Sequence, residues 1–249
     1  MKWKIIPMHT GTLRSHHENL VFGAPTENID IPCIVWLLRS QETGEVILVD
    51  AGPTDQLDWA AKYHVPLMRE DNQNLEAALA VHGLKPEDIR TVIVSHLHWD
   101  HAYGLLKLKN AEIIVQRAEI QYAVAAEPLV EAKRFEADIK TVMPYFLQCW
   151  QQMTFIDGDT EIRPGLEVVF LPGHSPGSQG VLIDTEKGQY VMPADLINLA
   201  ENWNERKICG AGTSLEQCRE SLEKLERIVA ETDAVVLPSH DLVSFELLK

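Results

Sequence analysis

Apolar residues in this chain come in short runs broken by turn residues, and most of the runs are too short to be helices. Ile34 to Leu38 and Val46 to Val49 are two such runs. Gln41-Glu42-Thr43-Gly44 between them reads as a turn, so the pair predicts a β-hairpin. The second run ends in Asp50-Ala51-Gly52-Pro53, where Gly and Pro stop a strand. Helical spacing then takes over: Asn74 is placed to cap a helix carrying Leu75, Leu79 and His82, closed by Gly83, with Pro86 just beyond. Thr91 to Val94 is a β-branched run that leads straight into Ser95 and His96.

Further on, Glu112 to Val115 predicts a strand and Arg117 to Ala126 a helix. Leu129 to Trp150 is predicted helical, with a break around Pro144. Its Phe135, Met143, Tyr145, Phe146 and Trp150 are expected in the core, with a cap over a substrate pocket as the alternative. Met8 to Phe22, read as an N-terminal loop, is expected to line the same pocket. Strands follow at Glu167 to Leu171, Val181 to Asp184 and Tyr190 to Met192, then a helix from Ser214 to Ala230 and a strand from Ala234 to Leu237. Ser214 and Gln217 have the spacing of a capping box for that helix. Two groups of strands, each followed by helices, suit two sheets packed face to face with helices outside, in one α/β domain over residues 1–249.

Composition adds exclusions. Apolar residues make up 45% and charged residues 24%, a balance that buries a sizeable core. A net charge of −15, a pI near 5.0 and no dense Lys/Arg block argue against nucleic acid as a partner. Lys2 and Lys4 are followed by no apolar signal-peptide core, and no stretch has the length of a membrane span, so a soluble cytoplasmic protein is expected. Cys33, Cys149, Cys209 and Cys218 lack metal-knuckle spacing and read as reduced thiols. Nothing in the sequence fixes an oligomeric state.

The chemistry concentrates in one short segment. Of ten histidines, three fall within His96-Leu97-His98-Trp99-Asp100-His101. At a strand exit, positions i and i+2 face the same side, so His96 and His98 can reach one metal ion. Asp100 and His101, at the turn into the next element, can reach a second. Imidazole and carboxylate are the usual ligands of a catalytic zinc, and two ions ~3.5–4 Å apart can hold a bridging hydroxide. An isolated His-X-His at a strand end would read as two polar surface residues; the full pattern after an apolar run does not.

Ser95 through His101 resembles the signature of the metallo-β-lactamase superfamily. Pro172-Gly173-His174-Ser175-Pro176-Gly177, Ala194-Asp195 and Ser239-His240-Asp241 extend the likeness in the expected order, so that it spans Ile31 to Asp241. The resemblance implies a four-layer αββα sandwich. It also implies that His174 joins His96 and His98 on a first metal, that His240 joins Asp100 and His101 on a second, and that Asp195 bridges both. Asp50, in Leu48-Val49-Asp50-Ala51-Gly52, would orient a ligating histidine. Two divalent ions are implied, zinc foremost, although such mixed ligands also accept iron, manganese or cobalt.

Ile113 to Glu119 and Pro172 to Gly177 resemble, more narrowly, the N-acyl homoserine lactonases, which implies a small-molecule lactone as substrate. Those enzymes carry a tyrosine three residues after the bridging aspartate, where this chain has Asn198. The Asn198 amide is expected to donate to the lactone carbonyl instead, with Tyr103 as a phenol able to approach from another direction. Weak activity on long-chain acyl homoserine lactones, and stronger activity on another lactone, follow from that reading.

The implied reaction is attack of a metal-bridging hydroxide on the carbonyl. One metal polarises the carbonyl oxygen, the other stabilises the leaving alkoxide, and Asp100 relays a proton to it. Thioester hydrolysis of the glyoxalase II type is the alternative. The basic patch such enzymes use for their substrate tail has no counterpart near the C-terminus, where Glu223, Glu226 and Glu231 dominate. An RNA phosphodiesterase is disfavoured by the net charge. A di-iron oxidoreductase would carry Glu in place of His98 and a flavin domain, and a metal-binding pseudoenzyme would not need the complete ligand set.

Overall fold

The computed structural model describes residues 1–125 and 144–249. One sheet holds β1 (Trp3–His16), β2 (Asn28–Ser40), β3 (Val46–Val49), β4 (Leu67–Met68), β5 (Thr91–Ile93), β6 (Glu112–Gln116) and β7 (Met153–Ile156), in the order β4-β1-β2-β3-β5-β6-β7. The other holds β8 (Thr160–Arg163), β9 (Leu166–Phe170), β10 (Gln179–Thr185), β11 (Gly188–Met192) and β12 (Val235–Val236), in the order β12-β11-β10-β9-β8.

Strand β2 shows why the layers stack. Ile34, Trp36 and Leu38 point into a core shared with Val168, Val181 and Ile183 of the second sheet. Cys33, Val35 and Leu37 point the opposite way, into a core that includes Leu79 of the helix Leu75–Val81. A strand buried on both faces reads as an unbroken apolar run, which is how Ile34 to Leu38 reads. On the far side, Val169 and Val191 meet Leu222 and Leu225 of the helix Leu215–Thr232. The result is helix, sheet, sheet, helix, the four-layer sandwich implied by the resemblance.

Local signals held where they were strong. β2 and β3 pair antiparallel from Trp36↔Val49 to Arg39↔Val46. Asn74 Oδ1 accepts from Ala77 N at 2.8 Å, and Ser214 Oγ from Gln217 N at 3.2 Å, each capping its helix.

The expectation for Met8 to Phe22 is corrected. This segment is no loop: β1 runs to His16 and a short helix, His17–Leu20, follows. Pro7, Gly11 and a register shift between His9 and Thr12 break the alternation that would have marked β1 as a strand. Strands β7 and β8 also escaped the pattern, with Thr154 and Glu161 exposed within them. Of the aromatic segment, Phe135 and Met143 lie outside the described residues. Tyr145 and Phe146 are core, each 1% exposed, whereas Trp150 is 46% exposed and packs on Phe155. Among the described residues no helix is long and apolar enough to cross a membrane.

Topology places the site. β3 and β5 are parallel neighbours, and so are β11 and β12. Asp50 follows β3, His96 follows β5, His174 follows β9, Asp195 follows β11 and His240 follows β12, so loops from both sheets converge.

Candidate metal centre

Seven side chains converge as two groups sharing one carboxylate. In the first, His98 Nδ1 lies 2.9 Å from both His96 Nε2 and His174 Nε2. Asp195 Oδ2 faces this group, 3.4 Å from His174 Nε2 and 3.9 Å from His96 Nε2. In the second, His101 Nε2 and His240 Nε2 are 3.2 Å apart and 3.5 Å and 3.7 Å from Asp100 Oδ2. Asp195 Oδ1 faces them at 3.2 Å and 3.3 Å.

The donor set fits metal ions better than it fits a hydrogen-bond network. Two ligands held ~2.05 Å from a tetrahedral centre lie ~3.3 Å apart, and the separations above scatter around that value. Asp195 Oδ1 is buried and close to two imidazole nitrogens, yet it makes no hydrogen bond among the described residues. Three groupings of these residues bring their ligand atoms within 4.8 Å of one another: His96, His98 and His174; His96, His101 and Asp195; Asp100, His101 and His240.

Electrostatics agree. Burial, reinforced by His101 and His98, holds His96 well below the ordinary imidazole pKa, in the neutral form a ligand needs. Burial opposes charge on His101, but Asp195, Asp100 and Asp50 outweigh it and raise its pKa well above the ordinary value. Burial would likewise raise Asp195, yet His101 and His240 hold its carboxyl well below the usual range. A pocket whose carboxylates draw protons onto imidazoles is a pocket suited to divalent cations.

A surrounding layer aims these side chains. Asp50 Oδ2 accepts from His101 Nδ1 at 2.8 Å, which leaves Nε2 free to face the cluster, as the sequence reading expected of Asp50. His240 Nδ1 similarly meets the Pro32 carbonyl at 2.8 Å. Asp50 adopts φ +63° and Ala194, just before Asp195, φ +51°, so backbone strain concentrates at the site.

Glu119 is a residue whose role sequence reasoning missed. Fully buried, it accepts from Leu97 N (2.9 Å), Ser175 Oγ (2.6 Å) and Gly177 N (3.0 Å), tying the His96–His98 loop to the His174 loop. Gly177 permits this, because a Cβ there would come within 2.2 Å of Glu119 N. Tyr145 supports the same loop from the other side, its hydroxyl donating to the Leu97 carbonyl.

Beside the ligands opens a cavity of about 180 Å³. Leu13 and Ser15 of β1 and Asn19 and Leu20 of the helix after it form part of its wall, so the N-terminal segment does line the pocket although it is not a loop. Tyr145, Phe146 and Trp150 do not line it, and neither does Tyr103. The Tyr103 ring packs against Trp59 and Tyr145, with centroids 5.1 Å and 4.9 Å away. Asn198 does line the cavity, but Nδ2 is turned away from donating to a ligand: it bonds the carbonyls of Leu20 and Asp195 at 3.0 Å and 3.2 Å. His64, unremarked in the sequence, stacks on Trp99 at 5.0 Å within the same wall, and burial lowers its pKa to about 4.

Known proteins of similar sequence and fold bear on this site. An N-acyl homoserine lactonase of Bacillus sp is 32% identical over 228 residues, covering 88% of this chain and 84% of that one. The N-acyl homoserine lactonase AttM of Rhizobium radiobacter is 24% identical over 249 residues, covering 96% and 93%. A solved structure of an N-acyl homoserine lactone hydrolase, with the product N-hexanoyl-L-homoserine at its catalytic metal centre, superposes with a TM-score of 0.82 at 25% identity, covering 99% of this chain and 97% of that one. The family model of the metallo-beta-lactamase superfamily matches residues 30–240, and the chain belongs to that superfamily.

Proposed function

We propose that the protein is a binuclear metal-dependent lactonase that holds two divalent ions, zinc foremost, and opens the ring of a small lactone. The observation that carries this reading is the division of Asp195, whose two oxygens face two separate ligand groups. Divalent ions at these positions would supply a water acidic enough to attack at neutral pH and would polarise the ester carbonyl. His96, His98 and His174 enclose one position; Asp100, His101 and His240 enclose the other. Of the five ligand residues that line the cavity, His98, Asp100, His174, Asp195 and His240, Asp100 is the most exposed, its side chain 12%, which supports it as the group that carries a proton to the leaving alkoxide. The lactonases that match most of this chain support the lactone as substrate class.

Thioester hydrolysis is the weaker reading, because no Lys or Arg is found among the described residues lining the cavity, where an anionic substrate tail would need one. The four free, buried cysteines suit a reducing compartment, the cytoplasm. The test is a hydrolysis screen over lactones, thioesters and phosphodiesters on protein of measured metal content. About two ions per chain, lactone turnover well above the other classes and its loss on chelation are expected. Thioester turnover exceeding lactone turnover would reverse the assignment.

A further inference from the structure

Cys209 and Cys218 are both buried, and their sulfurs lie 3.5 Å apart, within hydrogen-bonding reach. They stand on different pieces of chain: Cys218 near the start of the helix Leu215–Thr232, and Cys209 in the loop that leads to it. Both pieces support the His174 loop. Gly173 packs on Cys218 so closely that a Cβ there would run into the Cys218 backbone, and the Gly173 carbonyl accepts from Thr213 Oγ1 and Ser214 N, each at 3.1 Å. Thr213 N donates to the His174 carbonyl at 3.2 Å. Between Cys209 and Thr213, Ala211 lines the cavity, and its N–H donates to the Asn19 carbonyl at 2.7 Å.

We infer that Cys209 and Cys218 form a redox-sensitive modification site: a hydroperoxide joins them as an intrachain disulfide, and the bond slows turnover by pulling on the loop that carries Ala211 and supports His174. The hydrogen bond from Cys209 holds the Cys218 thiol below its ordinary pKa, which makes Cys218 the readier nucleophile. Its sulfur attacks one peroxide oxygen, the O–O bond breaks, and the other oxygen leaves as water or an alcohol, giving a sulfenic acid. Cys209 Sγ then forms the S–S bond and displaces the hydroxyl, which leaves as water. The two sulfurs lose two electrons, the peroxide gains them, and both thiol hydrogens depart with its oxygens. A disulfide holds its sulfurs about 2.05 Å apart, so closing the bond draws loop and helix together, where Ala211 and the Thr213 bond to His174 feel the shift.

The test treats protein of measured zinc content with hydrogen peroxide, blocks the remaining thiols with an alkylating agent and maps the crosslink by mass spectrometry. Free thiols are expected to fall from four per chain to about two, with Cys209 joined to Cys218. The turnover arm rests on the lactonase reading above: kcat/KM on a γ-lactone should fall about 10-fold, the scale on which groups that support a ligand matter, and a phosphine reductant should restore it. Cys209→Ala should keep its own untreated rate through the same treatment; should that variant fail to fold, the crosslink map and the reversal in wild type still decide. Four free thiols after treatment overturn the proposal, as do a crosslink without loss of turnover, a loss that the reductant does not reverse, and an equal loss in Cys209→Ala. If no γ-lactone is hydrolysed even before treatment, the lactonase reading fails instead, and the thiol titre and crosslink decide this proposal alone.

Discussion

The ligand groups and the cavity wall lie side by side but are built on different terms. Ligands sit on loops at strand ends and are aimed by groups behind them: Asp50 on His101, the Pro32 carbonyl on His240, and Glu119 joining the loops of His98 and His174. The wall is assembled from distant pieces, β1, the helix after it, His64 and Asn198, and two of its polar atoms, His64 Nε2 and Asn198 Oδ1, make no hydrogen bond among the described residues. The positions of the candidate ligand side chains are thus held by several partners each, while the wall carries polar atoms with no hydrogen bond among the described residues. Substrate preference should change with the wall and metal content with the loops.

The largest effect tests the shared carboxylate. Asp195→Ala removes the one group that faces both ligand sets, so metal content should fall from about two ions per chain to one or fewer, and lactone hydrolysis to background. Elemental analysis and rate are read on the same sample. Two ions retained with normal turnover would mean the groups do not act as a pair.

Next is Glu119→Ala, which touches no ligand directly. It strips Leu97 N, Ser175 Oγ and Gly177 N of their common acceptor, leaving buried donors unpaired at a cost of about 3 kcal/mol in stability. Metal affinity should drop about 10- to 100-fold, the scale of groups that orient ligands. Unfolding curves and metal titrations of variant and wild type measure both. A stability loss without any change in metal affinity would show that Glu119 braces the fold and not the ligands.

How much of this was legible depends on how far apart in sequence the partners lie. His96, His98, Asp100 and His101 stand within one short segment, so spacing alone brings them together. His174, Asp195 and His240 are single residues in separate loops, and only family likeness marked them. Glu119 escaped because its partners are 22, 56 and 58 residues away, and nothing local to it signals burial. Asn198 was placed at the site, but that its amide hydrogens are taken up by main-chain carbonyls depends in part on Leu20, 178 residues distant. The sheets read well where strands were buried on both faces and poorly in β1, where a proline and a bulge interrupt the alternation.

A smaller effect belongs to the wall. Burial, partly offset by Asp100, lowers the His64 pKa from 6.5 to about 4. Between those values the unfolded chain binds a proton at this residue that the folded chain does not, so folding stability contributed here falls as pH drops below about 6.5. His64→Phe keeps an aromatic ring against Trp99 without that penalty. The stability of the variant relative to wild type should therefore rise by about 2 kcal/mol between pH 7 and pH 5, a difference in which the ligands common to both proteins cancel. A pH-independent difference would mean that the imidazole is as solvated folded as unfolded.

The smallest effect marks where the wall ends. Tyr103 stands two residues after His101, yet its ring is held between Trp59 and Tyr145 and is not part of the cavity lining. Tyr103→Phe keeps those ring contacts and deletes only the hydroxyl. Away from a core or a site such a deletion moves stability by less than about 0.5 kcal/mol, and kcat/KM on any lactone should stay within about twofold of wild type. If Tyr103→Phe instead lowers kcat/KM tenfold or more while stability and metal content hold, the phenol reaches bound substrate. The wall would then extend past Trp99 to Tyr103.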